Sequence, residues 1–80
     1  MDSRKKALLE QEGYKYHFSR MVYFNRQKRK MFSREFIDDH PNSQIRERIR
    51  ASKPNNEWEF YFNRELSAEA KQELLAEFGQ

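Results

Sequence analysis

Hydrophobic and polar positions along the chain divide it into seven elements. Residues 2–12 predict a short helix: Asp2 or Ser3 can cap it, Ala7, Leu8 and Leu9 form a thin apolar face, and Gly13 stands where a helix stops. Arg4, Lys5 and Lys6 fall in its first turn, where the helix dipole disfavours positive charge. That placement implies either a frayed end or a reason to display the charges. From Tyr14 the period becomes two. Tyr14, Tyr16 and Phe18, then Val22 and Phe24, share one face of a strand, while Lys15, His17, Ser19, Met21 and Tyr23 share the other. Arg20 interrupts the apolar face and predicts a bulge or a strand end. Residues 25–30 contain no apolar side chain before Met31 and Phe32 resume a strand, which predicts a β-hairpin with a basic tip. The tip lacks an Asn-Gly or Gly-X pair, so a connection longer than two residues is expected.

Ser33 can cap a short helix over residues 34–40, with Phe36 and Ile37 directed inwards. Pro41 ends that element or begins the next. Asn42 or Ser43 can then cap a helix reaching about Ala51, whose buried side is Ile45 and Ile49. Residues 52–56 read as a turn. Residues 57–62 alternate cleanly, with Trp58, Phe60 and Phe62 towards the core and Glu57, Glu59 and Tyr61 outwards. Ser67 opens a closing helix with Ala70, Leu74, Leu75 and Phe78 as its apolar stripe and Gly79 as its stop. The expected architecture is a single α+β domain over residues 1–80, in the order α-β-β-α-α-β-α. Its sheet is expected to be small, three-stranded and largely antiparallel, with helices packed on one face.

Composition qualifies this picture. Hydrophobic and charged residues each make up 36% of the 80 residues, a balance that leans towards disorder. Opposing that lean, the net charge is only +3 and aromatics form 15% of the chain. Each buried ring removes on the order of 150–250 Å² from water, so folding is expected. The absence of cysteine points to a reducing compartment. No apolar run resembles a signal peptide or approaches the roughly 20 residues of a membrane span, so a cytoplasmic protein without membrane contact is expected.

Charge is polarised along the chain. Residues 1–34 carry ten Lys or Arg against three Asp or Glu, residues 35–56 carry four of each, and residues 57–80 carry two against six. A basic and an acidic surface would result if the hairpin and the last helix lie apart, and mutual compensation if they meet.

The first candidate site is the hairpin tip, Arg26, Lys28, Arg29 and Lys30, joined by Arg20 and Arg34. Such a cluster attracts phosphate backbones, and Tyr23, expected on the exposed face, could stack on a base. The plainer explanation is a solvated loop that discourages edge-to-edge strand pairing. A second candidate is the stripe of Arg46, Arg50 and Lys53 along the middle helix, with Arg48 to its side. It could follow phosphates or dock an acidic partner, or it could be an ordinary outer helix face. Asp38, Asp39 and His40 suggest metal or proton chemistry, but consecutive helical residues point in different directions and rarely converge on one ion. No cysteine nucleophile and no glycine-rich elbow or phosphate loop is present. These observations set the expectations: no catalysis, no cofactor, no metal and no small-molecule substrate. The expected function is a small protein-interaction module, an adaptor, regulator or inhibitor of a larger partner. The alternative is a nucleic-acid-binding domain, RNA before DNA, that uses the basic tip.

Overall fold

The computed structural model describes residues 3–51 and 57–78. Its elements are α1 (Ser3–Gln11), β1 (Lys15–His17), β2 (Val22–Asn25), β3 (Lys30–Ser33), α2 (Arg34–Asp39), α3 (Asn42–Arg50), β4 (Glu59–Tyr61) and α4 (Ala68–Phe78). Among the described residues the sheet has four strands in the order β1-β2-β3-β4. The first three form an antiparallel meander, and β4 lies parallel to β3 after the α2–α3 crossover. The α+β class holds. The sheet, however, is four-stranded and mixed where three largely antiparallel strands were expected.

The extra strand arises at Arg20. Residues 18–21 make a turn, closed by Met21 N–H donating to His17 O at 2.8 Å, with Met21 at φ 55°. This left-handed conformation is uncommon for a residue with a Cβ, and nothing in the local sequence announces it. The turn folds β2 back onto β1, so Tyr16 pairs directly with Tyr23 and both side chains share one face. Phe18, expected in the apolar stripe, lies at the tip of that turn and is 83% exposed.

Register places Tyr16, Tyr23, Phe32 and Tyr61 in one row across all four strands. On that face α1, α2 and α3 contribute Leu9, Phe36, Ile37, Ile45 and Ile49 to the larger core. The opposite face carries Val22, Phe24 and Met31, covered by Leu74 and Phe78 of α4. Helices therefore cover both faces of the sheet, a correction to the one-sided arrangement. Alternation demands it: β2, β3 and β4 carry apolar side chains on both sides, so each side needs a cover.

Caps follow local chemistry at several helix ends. The Ser33 hydroxyl accepts from Phe36 N–H at 3.0 Å, and Ser67 accepts from Ala70 N–H at 3.1 Å. At α3 the N-cap position is Pro41, which makes no side-chain hydrogen bond, rather than Asn42 or Ser43. Gly13, at φ 89°, ends α1 with its N–H donating to Glu10 O while Tyr14 N–H donates to Leu9 O. The expected cap at Asp2, the turn at residues 52–56 with Lys53, and the stop at Gly79 lie outside the described residues. No helix among the described residues is long and apolar enough to cross a membrane.

Candidate interaction surface

The basic tip is a four-residue turn, residues 26–29, with Arg29 at φ 53°. Asn25 organises it: its Oδ1 accepts from Lys28 N–H at 3.0 Å, and its Nδ2 donates to Glu12 O at 3.0 Å. Arg26, Lys28 and Lys30 turn back onto the protein. Arg26 Nε donates to Phe78 O, the last carbonyl of α4, at 2.6 Å, and its guanidinium lies over the Phe24 ring. Lys28 Nζ donates to Ile49 O and Arg50 O at the end of α3 and pairs with Glu12 at 3.0 Å. Lys30, only 4% exposed, donates to Arg48 O at 3.1 Å. Burial lowers the Lys30 pKa, an effect that nearby Glu59 opposes and Lys28 reinforces. The last carbonyls of a helix have no partner within it and carry the negative end of its dipole. These side chains meet that need from a distance.

Lys5 does the same for α2. It is 7% exposed, and its Nζ donates to Ile37 O at 2.6 Å and to His40 O. The lysines in the first turn of α1 looked misplaced in sequence; for Lys5 the explanation is the neighbouring helix end that it caps. Sequence spacing carries no signal for such contacts, because donor and acceptor lie more than thirty residues apart.

Tyr23 is 3% exposed and packs in the larger core against Tyr16, at 4.7 Å between tilted rings, so its expected exposure is corrected. Burial raises its pKa. Tyr61 lies partly buried against Phe32 at 4.6 Å, with its hydroxyl donating to Glu59; burial and then that hydrogen bond push its pKa up to about 12. Asp38, Asp39 and His40 diverge, as their spacing predicts. Asp38 pairs with Arg34 at 3.7 Å, Asp39 accepts from Asn63 at 2.6 Å, and the His40 ring stacks on Phe36. Among the described residues no three His, Asp or Glu side chains gather in a metal-binding group.

The basic hairpins and the acidic last helix do meet at one end. Arg20 pairs with Glu77 at 3.3 Å, close to the α4 terminus that Arg26 caps. A cationic surface remains on the other side of the molecule. Arg46 and Arg50 of α3, both exposed, join Arg4 of α1 along an open groove of about 420 Å³ floored by Ala7 and Leu8. Among the described residues no acidic side chain lines it. At its α3 end the Asn42 Oδ1 is buried without a hydrogen-bond partner among the described residues.

The more distinctive surface is apolar, and sequence reading assigned its aromatics, Trp58, Phe60, Phe62 and Phe18, to the core. Trp58, Phe60 and Phe62 point towards α4 but are only partly buried. Leu74 and Phe78 of α4 are buried over the other end of the sheet, where Phe78 stacks on Phe24 at 4.6 Å. The β4 end is left to Lys71, Leu75 and Leu66, which with the three aromatics line two adjoining hollows of about 370 and 400 Å³. Lys71 Nζ sits 5.7 Å above the Phe60 ring. Phe62 also lines a third hollow of about 550 Å³ with Met21, Ser33 and Glu35. Met21 is 53% exposed and belongs to the same turn as Phe18. A band of apolar side chains, interspersed with Arg20, Ser33, Glu35, Asn63 and Arg64 where the third hollow opens, thus runs from Trp58 along β4 to the β1–β2 turn. The signal was present in the sequence as a mismatch: three large aromatics on a strand face one helix whose matching positions include Lys71 and Ala70. Set beside family models, curated proteins and solved structures, the chain has no significant match among any of them.

Proposed function

We propose that this chain is a non-enzymatic protein-interaction module that engages a larger partner through the apolar band along β4 and the β1–β2 turn. The carrying observation is the set of partly buried Trp58, Phe60 and Phe62 in open hollows beside an outer strand, continuous through Phe62 with exposed Met21. Aromatic and methionine side chains concentrate at interface centres, where they anchor in pockets and exclude water. Scattered exposed apolar residues need no explanation, but a contiguous band does. Binding rather than catalysis also suits the use made of the buried polar groups. Tyr14 donates to Ile49 O and Lys5 to Ile37 O, both at helix ends and not at a cleft.

The test is comparative capture. Phe62→Ser and Phe18→Ser should each weaken recovery of the same partner, while Arg46→Glu with Arg50→Glu should leave it bound. Phe18 is 83% exposed, so its replacement leaves the fold intact and separates binding from stability. Equal recovery with both apolar variants would overturn the proposal.

The α1–α3 groove favours a second reading, an RNA-binding surface using Arg4, Arg46 and Arg50 in place of the tip. It predicts binding to mixed-sequence RNA that weakens steeply with salt, with a slope reduced when Arg46 and Arg50 are reversed. An unaltered slope would exclude that groove.

A further inference from the structure

Resting on the protein-interaction reading, we infer that the partner contributes an extended segment that adds as a fifth strand to the outer edge of β4. The backbone specifies this occupant. Glu59 N–H donates to Arg29 O at 2.9 Å, and Glu59 pairs with Lys30 in a parallel ladder. In such a ladder alternate residues turn their N–H and C=O to the neighbouring strand. Glu59 and Tyr61 therefore face β3, and the N–H and C=O of Phe60 face outwards. Among the described residues no strand pairs with that side.

The same alternation sets the side chains. Phe60, with its outward-facing backbone, also lines both hollows beside α4, with Trp58 and Phe62 flanking it on the same face. A chain paired to Phe60 would lay alternate side chains into those hollows, so one docking register satisfies backbone and cleft together. Main-chain bonds supply affinity and the pockets supply selectivity, which is the logic of strand addition. Lys71 lies over Phe60 and lines both hollows, the first with Arg64 and Glu65 and the second with Glu57, so the segment carries an acidic side chain at the level of Lys71 itself. Lys71 also argues against a second copy of this chain. A two-fold axis beside Phe60 would set the two Lys71 ammonium groups at the same level across the new sheet, where like charges repel.

The probe is a blocked synthetic peptide of about ten residues, a full strand length, alternating phenylalanine or valine with threonine and carrying one central glutamate. Its control has the same side chains, with N-methyl groups on alternate amides in both possible registers. Binding is read by Trp58 fluorescence and by exchange protection of the Phe60 amide. The parent peptide should bind at least about tenfold tighter than its N-methylated control and should slow Phe60 exchange. Lys71→Glu should weaken it. Equal binding of both peptides would show that the cleft is used without the strand edge and would overturn the inference. Binding of neither up to about 1 mM would also overturn it. A concentration-dependent dimer that protects Phe60 in the absence of peptide would assign the edge to a second copy and overturn it as well. In each case the broader reading is decided separately, by whether Phe62→Ser and Phe18→Ser reduce capture of the partner.

Discussion

Lys28→Met tests whether the basic tip is structural. Methionine keeps the length and apolar stem of lysine but removes the donor. The substitution breaks the pair with Glu12, in which the side-chain exposures are 13% for Lys28 and 25% for Glu12, and removes the ammonium donor from Arg50 O and from Ile49 O, which keeps the Tyr14 hydroxyl. A partly screened ion pair contributes about 1 kcal/mol, at the upper end of the exposed range. Cation–dipole stabilisation at a helix C-terminus adds about 0.5–1 kcal/mol. The ammonium also lies 5.8 Å from the Tyr14 ring centroid, a contact of about 0.5 kcal/mol. Relief of ammonium desolvation offsets part of this, leaving a destabilisation of about 2 kcal/mol, a substantial share of a marginal fold. For a domain of this size that lowers the melting temperature by roughly 8–16 °C. Urea unfolding followed by Trp58 fluorescence measures the loss, and a double-mutant cycle with Glu12→Gln should return a coupling of about 1 kcal/mol. A variant within about 0.5 kcal/mol of wild type, but with reduced affinity for RNA or a protein partner, would refute the reasoning and restore the tip as a binding loop.

Two further outcomes follow from the backbone and from buried hydroxyls. Gly13→Ala should destabilise by about 1 kcal/mol, because alanine resists the left-handed conformation and its Cβ would meet Asn25 Nδ2 at 3.4 Å; equal thermal stability would count against a strained C-terminal cap. Stability should fall as pH rises above about 10.5, because Tyr14, Tyr23 and Tyr61 all have folded pKa values raised above the unfolded value of about 10. Their contribution is fully present below the unfolded pKa and is lost as pH climbs through the folded values. Lys30, lowered from 10.5, acts oppositely, with stability recovered as pH rises to that value, so the decline should steepen beyond it. Melting temperatures across that range would check the sign, and a rise would overturn it.

Much of the fold was legible where local chemistry acts alone. Ser33 and Ser67 announce helix starts, Gly13 a helix stop, and Ile45 with Ile49 the buried side of α3, because each needs only neighbours within a turn. The β1–β2 turn was legible only in part. Arg20 marked a bulge or a strand end, and a strand end is what stands there, but a turn at residues 18–21 with a left-handed Met21 carries no glycine, asparagine or proline, so the hairpin itself was not announced. That missed turn shifted the facing of the second strand. Tyr23 was assigned to the surface although it pairs with Tyr16, and Phe18 to the core although it is exposed. The candidate surface was obscured for a different reason. Alternation identifies the face that Trp58, Phe60 and Phe62 occupy, but not how much of that face α4 covers.

Charge was the least legible property, and its resolution explains how so polar a chain holds a fold. Helix α1 ends in a left-handed glycine, and the chain's own amides satisfy Glu10 O and Leu9 O. Helices α2 and α3 end instead at His40 and Ala51, neither in the left-handed conformation. At those two ends the remote cations arrive: Lys5 on α2, Lys28 and Lys30 on α3. A helix that ends in a Schellman-type turn closes its carbonyls locally, and one that does not needs donors from elsewhere. Lysine suits that task, since its stem packs as hydrocarbon while the ammonium reaches the carbonyls. The high charged fraction is thus partly a set of long-range caps that tie α1 and the hairpin to distant helix ends. It follows that these cations should be set aside before the basic surface is drawn. Lys5, Arg26, Lys28 and Lys30 all donate to main-chain carbonyls of other elements, while Arg46 and Arg50 of α3 line an open groove. The electrostatic footprint therefore moves from the tip to the α1–α3 side. That leaves the apolar side chains on the α4 side as the surface on which the proposed protein partner would act.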